Sequence, residues 1–350
     1  MVAPIKIDKH LVGPGHPCMV IAEAGVNHNG NIDLAYKLVD AAVAAGADAV
    51  KFQTFKADGI ISARAQKAKY QQKTTSADES QLEMVRKLEL TYDQFRSLFE
   101  HCKKKGILFL STPFEEGSAD FLDDLGMVAF KVPSGEITNL PFLKHLAQKG
   151  KPLIVSTGMS TLGEVESAVL EIQVAGNPDL ALLHCVSNYP ANPADANLRA
   201  MQTLQAAFEV PVGFSDHMIG SEVALAAVAL GASIVEKHFT LDRHLPGPDQ
   251  QFSLEPGELK QLVDGIHTVE SALGSGRKEP VASEADTSAA ARKSLVARCE
   301  IKAGSRLTED MISIKRPGTG LPPSMLPYLV GRSIRVTVQA DELLTLEMFQ

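Results

Sequence analysis

The stretch PVGFSD (211–216), the helical pattern GSEVALAAVALGA (220–232) and the run SIVEKH (233–238) together decide the fold. Both short runs are mostly apolar, which is typical of parallel strands covered by helices. The pattern between them is long enough for the crossover helix that joins two parallel strands. The stretch therefore predicts one complete strand–helix–strand unit.

Six further apolar runs precede this unit, and a helical pattern follows each of them. The runs are CMVIAEAG (18–25), DAVKFQT (48–54), ILFLST (107–112), MVAFKV (127–132), PLIVST (152–157) and LALLHC (180–185). Eight strand–helix units over about 250 residues match a (β/α)8 barrel, so residues 1–275 are predicted to form an α/β TIM barrel. An open, doubly wound sheet is the structural alternative, but the sequence has no GxGxxG turn of the kind that binds dinucleotides.

The rest of the chain has a different composition. Residues 276–291 are small, polar and poorly periodic, which predicts a linker. Residues 292–350 contain short β-like runs broken by Gly and Pro, which predicts a small β-rich domain that docks on another surface. Within the barrel, the polar and charged insertion 60–89 predicts a long loop that is functional or mobile.

The charge and composition of the chain exclude several classes of partner. The formal net charge of −8 argues against non-specific binding to nucleic acid or anionic membranes. No stretch approaches the roughly 20 apolar residues of a membrane span, and the amino terminus lacks the apolar core of a signal peptide. The four cysteines form no CxxC pair, which predicts free thiols in a reducing cytoplasm.

Charged side chains interrupt the apolar strands near one end of the predicted barrel. Lys51 and Lys131 each face the cost of a charge inside an apolar strand. One interpretation is an internal salt bridge of either lysine with Glu23. The other is an anion site, in which the two ammonium groups bind a phosphate and a carboxylate with Ser134 and Ser156 nearby. Glu23 itself is either a lysine partner or a functional group, which would be a general acid/base or a group that positions the attacking water.

Two histidines stand at the ends of strands seven and eight. Because the carboxyl ends of barrel strands meet at one mouth, His217 and His238 are predicted to converge there. Two imidazoles with open positions suit a six-coordinate ion such as Mn²⁺ or Co²⁺ better than a closed structural zinc. Asp216 and Glu236 are expected to orient the two rings.

Short motifs lie at corresponding places of the strands and in the tail. They are IAEAGVNHNG (21–30), ADAVKFQTF (47–55), KVPSGE (131–136), IVSTGMS (154–160), HCVSNYP (184–190), GFSDH (213–217), VEKHFTLDR (235–243), PGPD (246–249) and KRPGTGLPP (315–323). In order and spacing, this set resembles the sialic acid synthase family over nearly the whole chain.

The resemblance implies a TIM barrel followed by an antifreeze-like (SAF) domain, in a domain-swapped homodimer. It implies the condensation of phosphoenolpyruvate with N-acetylmannosamine and water to give N-acetylneuraminate and phosphate. The implied cofactor is a divalent metal ion, with Mn²⁺ in first place and Mg²⁺ or Co²⁺ as alternatives. Within the family, the alternative is legionaminate or pseudaminate synthesis from a 2,4-diacetamido-trideoxy hexose.

The resemblance also implies roles for individual residues. The catalytic residues would be Glu23, Lys51 and Lys131, and the contacts to phosphoenolpyruvate would be the two lysines with Ser134, Ser156 and Ser187. The sugar contacts would be Tyr189, Asp249 and Arg316, of which Arg316 would reach the sugar of the partner subunit. The metal ligands would be His217 and His238. The sequence departs from the family pattern at Gln250, where many members have His, and at Ser187, where some bacterial members have Asn.

Two other classes of function stay open. A Schiff-base pyruvate aldolase would use Lys51, Lys131 or Lys237 as its nucleophile, since a nearby cation can lower the pKa of a lysine. A non-enzymatic scaffold with a sugar- or ice-binding tail is the other class. That hypothesis leaves the full set of polar strand ends unexplained.

Overall fold

The structure is a computed structural model that describes residues 2–68, 71–72, 75 and 78–350. The chain divides into two units, Met1–Gly274 and Ser275–Gln350. The first unit begins with an antiparallel hairpin of β1 (Ile5–Ile7) and β2 (His10–Val12). None of the helices that the structure describes is long and apolar enough to cross a membrane.

Eight parallel strands follow the hairpin. They are β3 (Met19–Gly25), β4 (Ala49–Thr54), β5 (Leu108–Pro113), β6 (Phe130–Val132), β7 (Leu153–Ser156), β8 (Leu180–Cys185), β9 (Val212–Asp216) and β10 (Ile234–His238). The strands lie side by side in chain order, β10 pairs with β3, and β5 lies beside β6, so the sheet closes on itself. The predicted TIM barrel is confirmed.

Helices connect the strands and cover the outside of the barrel. They are α1 (Ile32–Ala45), α2 (Ala57–Ile60), α3 (Gln81–Arg86), α4 (Tyr92–Lys105), α5 (Glu116–Asp124), α6 (Leu140–Ala147), α7 (Leu162–Val174), α8 (Ala200–Phe208), α9 (Glu222–Ala229) and α10 (Pro256–Leu273). Local sequence sets their ends. The side chain of Asn31 caps the amino end of α1, and Gly46, in a left-handed conformation, ends that helix.

The insertion 60–89, predicted to be a long loop, is partly helical. Its residues 69–70, 73–74 and 76–77 lie outside the described part of the chain. The hydroxyl of Ser80 accepts from the backbone N–H of Glu83, and the Glu83 carboxylate accepts from the backbone N–H of Ser80. This reciprocal cap explains why a polar segment forms the helix α3.

Two layers of apolar side chains position the functional end of the barrel. One layer lies between strands and helices and includes Val20 and Leu38. The other fills the barrel interior near the amino-terminal ends of the strands, where Ile7 of the hairpin packs with Leu110 and Ile154. Because apolar residues occupy that end, the inward polar side chains are left at the carboxyl ends of the strands.

The second unit has its own small core. Segment 276–291, predicted as a linker, contains the helix α11 (Ala285–Ala291), because its alanines favour helix strongly. β11 (Ser294–Ala297) then pairs antiparallel with β12 (Ile312–Lys315), and the short helix α12 (Leu326–Leu329) follows. The core of this unit includes Leu295, Ile312, Leu321, Val338 and Leu344.

Candidate active site

A cavity of about 450 Å³ opens at the carboxyl ends of the barrel strands. The predicted site residues that line it are Glu23, Lys51, Lys131, Ser134, Ser156, Ser187, Tyr189, His217, His238 and Asp249. Arg316 lies in the second unit, where its Nε donates to the carbonyl of Ala291 at 3.1 Å. Its contact with a partner's sugar stays a prediction.

Lys51 is a buried residue of β4, and its ammonium group has a carboxylate on each of two sides. Its Nζ lies 2.7 Å from Oε2 of Glu23 and 3.7 Å from Oε2 of Glu236. The same Nζ donates to Oγ1 of Thr112 at 2.9 Å. Burial alone would lower the pKa of Lys51, but the two carboxylates outweigh it and raise that pKa above its usual value. Lys51 is therefore a cation, and the salt bridge considered with Glu23 is present.

Lys131 reaches the same cavity from β6. Its Nζ donates to Oγ of Ser156 at 2.7 Å and to the carbonyl of Val132 at 3.1 Å. The nearest carboxylate is Glu236, with Oε1 at 3.7 Å. Burial lowers the pKa of Lys131, and the Glu236 charge offsets only part of that effect. The ion-pair partner of Lys131 is therefore Glu236 and not Glu23.

Glu236 lies between the two lysines. Its Oε1 also accepts a hydrogen bond from Oγ of Ser215 at 3.0 Å. Burial raises the pKa of Glu236, but Lys131 and Lys51 outweigh it and lower that pKa below its usual value. The prediction that Glu236 orients a histidine ring is wrong, because its polar contacts go to the serine and the lysines.

Glu23 combines an ion pair with a strongly altered pKa. Its Oε1 accepts from Nε2 of Gln53 at 3.1 Å, while Oε2 faces Lys51. Burial raises the pKa of Glu23 to about 7, although Lys51 offsets part of the effect. A carboxyl group with a pKa near neutrality can give or take a proton at physiological pH. The geometry is therefore compatible with both interpretations of Glu23, the lysine partner and the acid/base group.

His217 and His238 lie side by side, with ring centroids 5.5 Å apart. Nδ1 of His217 donates to the carbonyl of Val186 at 2.8 Å, so in the neutral ring Nε2 carries the lone pair that meets the Tyr189 hydroxyl at 3.1 Å. Nδ1 of His238 is buried without a hydrogen-bond partner among the residues described. Burial lowers the pKa of His238 well below its usual value, which keeps this ring neutral.

This donor set fits a divalent ion held by two imidazoles with further positions open. A buried nitrogen without a partner costs free energy unless a ligand satisfies it. Within the described ranges, no group of three or more His, Cys, Asp or Glu side chains could hold a metal, so a closed four-ligand zinc site does not fit. His217 and His238 are thus the residues that could hold such an ion.

Asp216 does not orient the histidines, contrary to the prediction. Its carboxylate lies 2.7 Å from Nζ of Lys237 and accepts from the backbone N–H of Met218 at 2.9 Å. The carbonyl of Val186 is the group that orients His217. Side chains alternate along a strand, so Asp216 and Lys237 lie outside the cavity that their sequence neighbours line.

Cys185 lines the cavity beside Ser134 and Ser187, and Gly158 lies close to the same two serines; neither was predicted as a site residue. The backbone N–H of Gly158 donates to Oγ of Ser134 at 3.0 Å. A Cβ on Gly158 would lie 2.2 Å from Oγ of Ser187 and 2.8 Å from Oγ of Ser134, so only glycine lets these hydroxyls converge. Sγ of Cys185 lies 3.6 Å and 3.8 Å from the same two oxygens. The signal for Gly158 in the sequence was its place in the strand-end motif IVSTGMS (154–160).

Asp249 lines the cavity, and the neighbouring Gln250 supports its loop. Burial raises the pKa of Asp249 to about 6, with the charge of His217 offsetting part of the effect. Gln250 is fully buried; its Nε2 donates to the carbonyl of Asn27 at 2.9 Å, and its Oε1 accepts from the Thr240 hydroxyl. The departure from the family pattern at Gln250 therefore falls on a contact between two loops and not on a cavity-lining side chain.

One side of the cavity is apolar, and we call it the apolar wall. Its members are Val26, Phe55, Ile60, Ile61, Met84, Val85, Leu88 and Phe114. The rings of Phe55 and Phe114 pack edge to face with centroids 6.0 Å apart. Of the lining residues that the structure describes, only Lys51 and Lys131 are lysines or arginines. The cavity thus has a cationic end and an apolar side.

The fold and the site define a (β/α)8 barrel enzyme with two buried lysines and two imidazoles at one mouth. The model of the NeuB family matches residues 38–278, and the model of the SAF domain matches residues 292–350. The chain belongs to the NeuB family and carries a SAF domain, which confirms its resemblance to the sialic acid synthases.

Relatives of known name span almost the whole chain. The N,N'-diacetyllegionaminic acid synthase of Campylobacter jejuni is 49% identical over 328 residues, which cover 93% of this chain and 98% of that protein. The N-acetylneuraminate-9-phosphate synthase of Homo sapiens is 38% identical, covering 96% of this chain and 94% of the relative. The crystal structure of an N-acetylneuraminic acid synthetase from Leptospira borgpetersenii is 38% identical, with a TM-score of 0.72 over 82% of this chain and 95% of that one.

Membership in this family establishes the class of reaction. The chain is a phosphoenolpyruvate-dependent transferase that forms a carbon–carbon bond. Synthases of the family are generally metal-dependent. Its place is in the biosynthesis of nonulosonic acids, the group of nine-carbon sugar acids that includes sialic acid.

Proposed function

We propose that the chain condenses phosphoenolpyruvate with an N-acetylated amino-sugar aldehyde and water, giving a nine-carbon sugar acid and phosphate. The observation that carries the proposal is the convergence of two buried lysines and two imidazoles on one cavity. Lys51 and Lys131 suit the phosphate and carboxylate of one substrate. His217 and His238 suit a divalent ion that would polarise the carbonyl oxygen of the second substrate.

The proposed reaction forms a carbon–carbon bond and a bond between C2 and the oxygen of water, and it breaks the bond between C2 and the phosphate oxygen. C3 of phosphoenolpyruvate attacks the aldehyde carbon, and the aldehyde oxygen takes a proton to become a hydroxyl. Water adds at C2, and the tetrahedral centre then loses phosphate to leave a keto acid. Lys51 and Lys131, with the Ser134 and Ser156 hydroxyls, hold the anionic groups and stabilise the charge that develops on them.

Glu23 is proposed as the base that takes a proton from the water. Its pKa of about 7 lets the carboxylate accept that proton near neutral pH. Gln53 holds one carboxylate oxygen and Lys51 the other, so the group is fixed in orientation. The same contacts place Glu23 beside the lysine that is proposed to bind phosphoenolpyruvate.

His217 and His238 are proposed to hold a divalent ion, with Mn²⁺ in first place and Mg²⁺ or Co²⁺ as alternatives. When bound, such an ion supplies Lewis-acid polarisation of a carbonyl oxygen. The Val186 carbonyl fixes the ring of His217 and so determines which nitrogen is available. Thorough metal removal is expected to abolish phosphate release, and added Mn²⁺ to restore it; full activity after removal would contradict this assignment.

For the acceptor, we propose a 2,4-diacetamido-trideoxy hexose, which leads to a legionaminate-type product. Its methyl groups can lie against the apolar wall, whereas a hydroxyl there would lose its hydrogen bonds to water. Relatives that are 49% and 46% identical carry the name N,N'-diacetyllegionaminic acid synthase, which supports this choice. A phosphorylated sugar would need a cation beyond the two lysines that phosphoenolpyruvate occupies.

N-Acetylmannosamine, the acceptor predicted from the sequence, is the second candidate. Tyr189 and Asp249 favour it, because they offer polar groups for sugar hydroxyls on the side of the cavity near His217. Pseudaminate synthesis from an isomeric diacetamido hexose is a variant of the first candidate. The three acceptors share the aldehyde and an N-acetyl group. The two diacetamido hexoses differ from each other in stereochemistry, and N-acetylmannosamine differs from both in its substituents.

The deciding experiment measures phosphate release from phosphoenolpyruvate with each aldehyde in turn. We expect the highest kcat/KM with a diacetamido-trideoxy hexose, a lower value with N-acetylmannosamine and the lowest with its 6-phosphate. The His217→Ala variant, tested beside the wild type, should lose activity with every aldehyde. Preference for N-acetylmannosamine would select the second candidate, and no phosphate release with any aldehyde would overturn the proposed function.

We further propose a domain-swapped homodimer in which Arg316 reaches the sugar bound by the partner subunit. Its guanidinium is a donor that can bind a sugar hydroxyl or a carboxylate. Co-expression of His217→Ala and Arg316→Ala chains tests this arrangement. Swapped heterodimers contain one intact site, so about a quarter of wild-type activity should return in a statistical mixture. No recovery from two inactive variants would contradict the swap.

A further inference from the structure

The ion pair between Lys237 and Asp216 has no part in the proposed chemistry. Both side chains are almost completely buried, with 1% and 0% of their surface exposed. They lie outside the cavity, on the helix-covered side of β10 and β9. Burying two charges is costly, and an apolar pair of similar size is often at least as stable. The pair therefore needs an explanation other than stability.

The contacts of Lys237 enclose the backbone on both sides of His217. Its Nζ lies 2.7 Å from Oδ2 of Asp216 and donates to the carbonyl of Met218 at 2.5 Å. Oδ1 of Asp216 accepts from the backbone N–H of Met218 at 2.9 Å. Asp216 and Met218 are the two sequence neighbours of His217, and Lys237 is the neighbour of His238. One ammonium group thus links the neighbour of His238 to the two neighbours of His217.

The register of β9 and β10 shows why the contacts of Lys237 matter for the two histidines. Lys237 and Asp216 form the last pair of the β9–β10 ladder, and His217 and His238 lie beyond it. Hydrogen bonds between these two strands therefore end just before the histidines. His238 remains paired with Glu23 on β3, but the position of His217 relative to His238 depends on contacts past the ladder.

We propose that Lys237, Asp216 and the Met218 carbonyl form a positioning clamp that sets the separation of the His217 and His238 imidazoles for a divalent ion. This inference rests on the proposed function, in which those two rings hold the ion. The clamp acts through the backbone and touches neither substrate nor metal. Loss of the clamp lets the two rings move apart and weakens metal binding, while the lysine end of the cavity keeps its own contacts.

The test is a calorimetric titration of Mn²⁺ alone into the metal-free full-length chain. The key variant is Asp216→Leu with Lys237→Met, which removes both charges and leaves neither one buried alone. We expect Mn²⁺ to bind this variant about 10- to 100-fold more weakly, the range found when partners of metal ligands are lost. Phosphoenolpyruvate affinity without metal should change less than about twofold.

A control removes another lysine–aspartate pair from the same barrel, one that is more exposed than the clamp pair. Lys151→Met with Asp123→Leu breaks a pair with Nζ 2.5 Å from Oδ1 that lies before β7, at the opposite end of the strands. This control should bind Mn²⁺ as the wild type does. Equal Mn²⁺ affinity in the clamp variant and the wild type would overturn the clamp, whereas absence of Mn²⁺ binding in the wild type would instead overturn the proposed metal site.

A second variant keeps the proposal testable if the double variant does not fold. Asp216→Asn keeps the shape of the side chain and removes its charge. The amide oxygen can still accept from the Met218 N–H while the amide nitrogen faces Lys237, so the lysine loses its ion pair and keeps the Met218 carbonyl. We expect about three- to tenfold weaker Mn²⁺ binding, with circular dichroism unchanged and phosphoenolpyruvate affinity retained. An Asp216→Asn chain that binds Mn²⁺ like the wild type would rule the clamp out.

Discussion

Nζ of Lys51 lies 2.7 Å from Oε2 of Glu23, and the two residues are paired in register on the neighbouring strands β4 and β3. The contact is buried, so burial raises the pKa of Glu23 while the lysine charge partly offsets the rise. The resulting pKa of about 7 lies far above the ordinary carboxyl value of 4.5. The pair therefore combines a fixed cation with a carboxyl group that titrates near neutral pH.

The first prediction concerns the pH dependence of catalysis. If Glu23 is the base, kcat/KM should fall about tenfold per pH unit below pH 7, because that ratio reports groups of the free enzyme. The Glu23→Gln variant should be slow and lack this limb, while Mn²⁺ affinity stays unchanged. A pH profile of the variant that keeps the wild-type limb would assign the titration to another group.

The same pKa has a consequence for stability. A carboxyl group whose folded pKa is raised contributes stability that is fully present below its unfolded value and is lost as pH rises through the folded value. For Glu23 the window runs from about pH 4.5 to about pH 7. Urea unfolding at the two ends of this window should show a smaller stability loss with rising pH for Glu23→Gln than for the wild type.

The second prediction compares the two lysines. Lys51→Met leaves Glu23 without the cation 2.7 Å away and removes one of the two lysines that lie 3.7 Å from Glu236, so the free energy of unfolding should drop by about 3–5 kcal/mol. Lys131→Met leaves Glu236 still 3.7 Å from Lys51, so its loss should be smaller. Urea unfolding measures both values. Equal losses would show that the two lysines share the carboxylates evenly.

The third prediction concerns Gly158. An alanine there would place its Cβ 2.2 Å from Oγ of Ser187 and 2.8 Å from Oγ of Ser134, so these hydroxyls must move. We expect Gly158→Ala to lower kcat/KM for phosphoenolpyruvate by about 100-fold, because small displacements at a binding site are costly. Gly163→Ala is the matched control, since a Cβ there meets nothing within 4 Å. The control should keep full activity, and an equally impaired control would remove the steric explanation.

Much of the barrel and its site follows from the sequence, because apolar runs mark buried parallel strands and closure brings their carboxyl ends together. Lys51, Lys131, His217 and His238 were predicted in this way. Their partners were not, since a linear sequence does not show which carboxylate lies nearest to which cation. The outward position of Lys237 could have been predicted from strand alternation.

Other features of the chain can be recognised only in the three-dimensional structure. The role of Gly158 depends on two hydroxyls that come from separate strand ends. Its motif marks a strand end but does not show that these hydroxyls approach it. The burial of Gln250 likewise depends on contacts with Asn27 and Thr240, residues on other segments. The helix α11 within the predicted linker shows how alanines in a polar segment favour helix despite weak periodicity.

The fourth prediction addresses the Schiff-base alternative. Lys51 has a raised pKa, and Lys237 does not line the cavity, so neither suits a nucleophilic amine. Lys131 has a lowered pKa but donates to Ser156 and the Val132 carbonyl. Borohydride treatment with pyruvate should therefore leave the mass of the intact chain unchanged. A trapped adduct that disappears in Lys131→Met would support an aldolase activity.

The fifth prediction tests the apolar wall. Phe114 directly follows β5 and packs on Phe55, so Phe114→Ala removes apolar surface from the cavity without opening the barrel core. A methyl group of the sugar that loses this contact loses about 1 kcal/mol, so kcat/KM for a diacetamido-trideoxy hexose should fall about fivefold. N-Acetylmannosamine has a hydroxymethyl group in place of the C6 methyl and a hydroxyl in place of the C4 acetamido group, so it should be affected less, and KM for phosphoenolpyruvate should stay constant. Steady-state kinetics with both sugars measure the ratio. An equal fall for the two sugars would mean that Phe114 supports the cavity as a whole and does not select between acceptors.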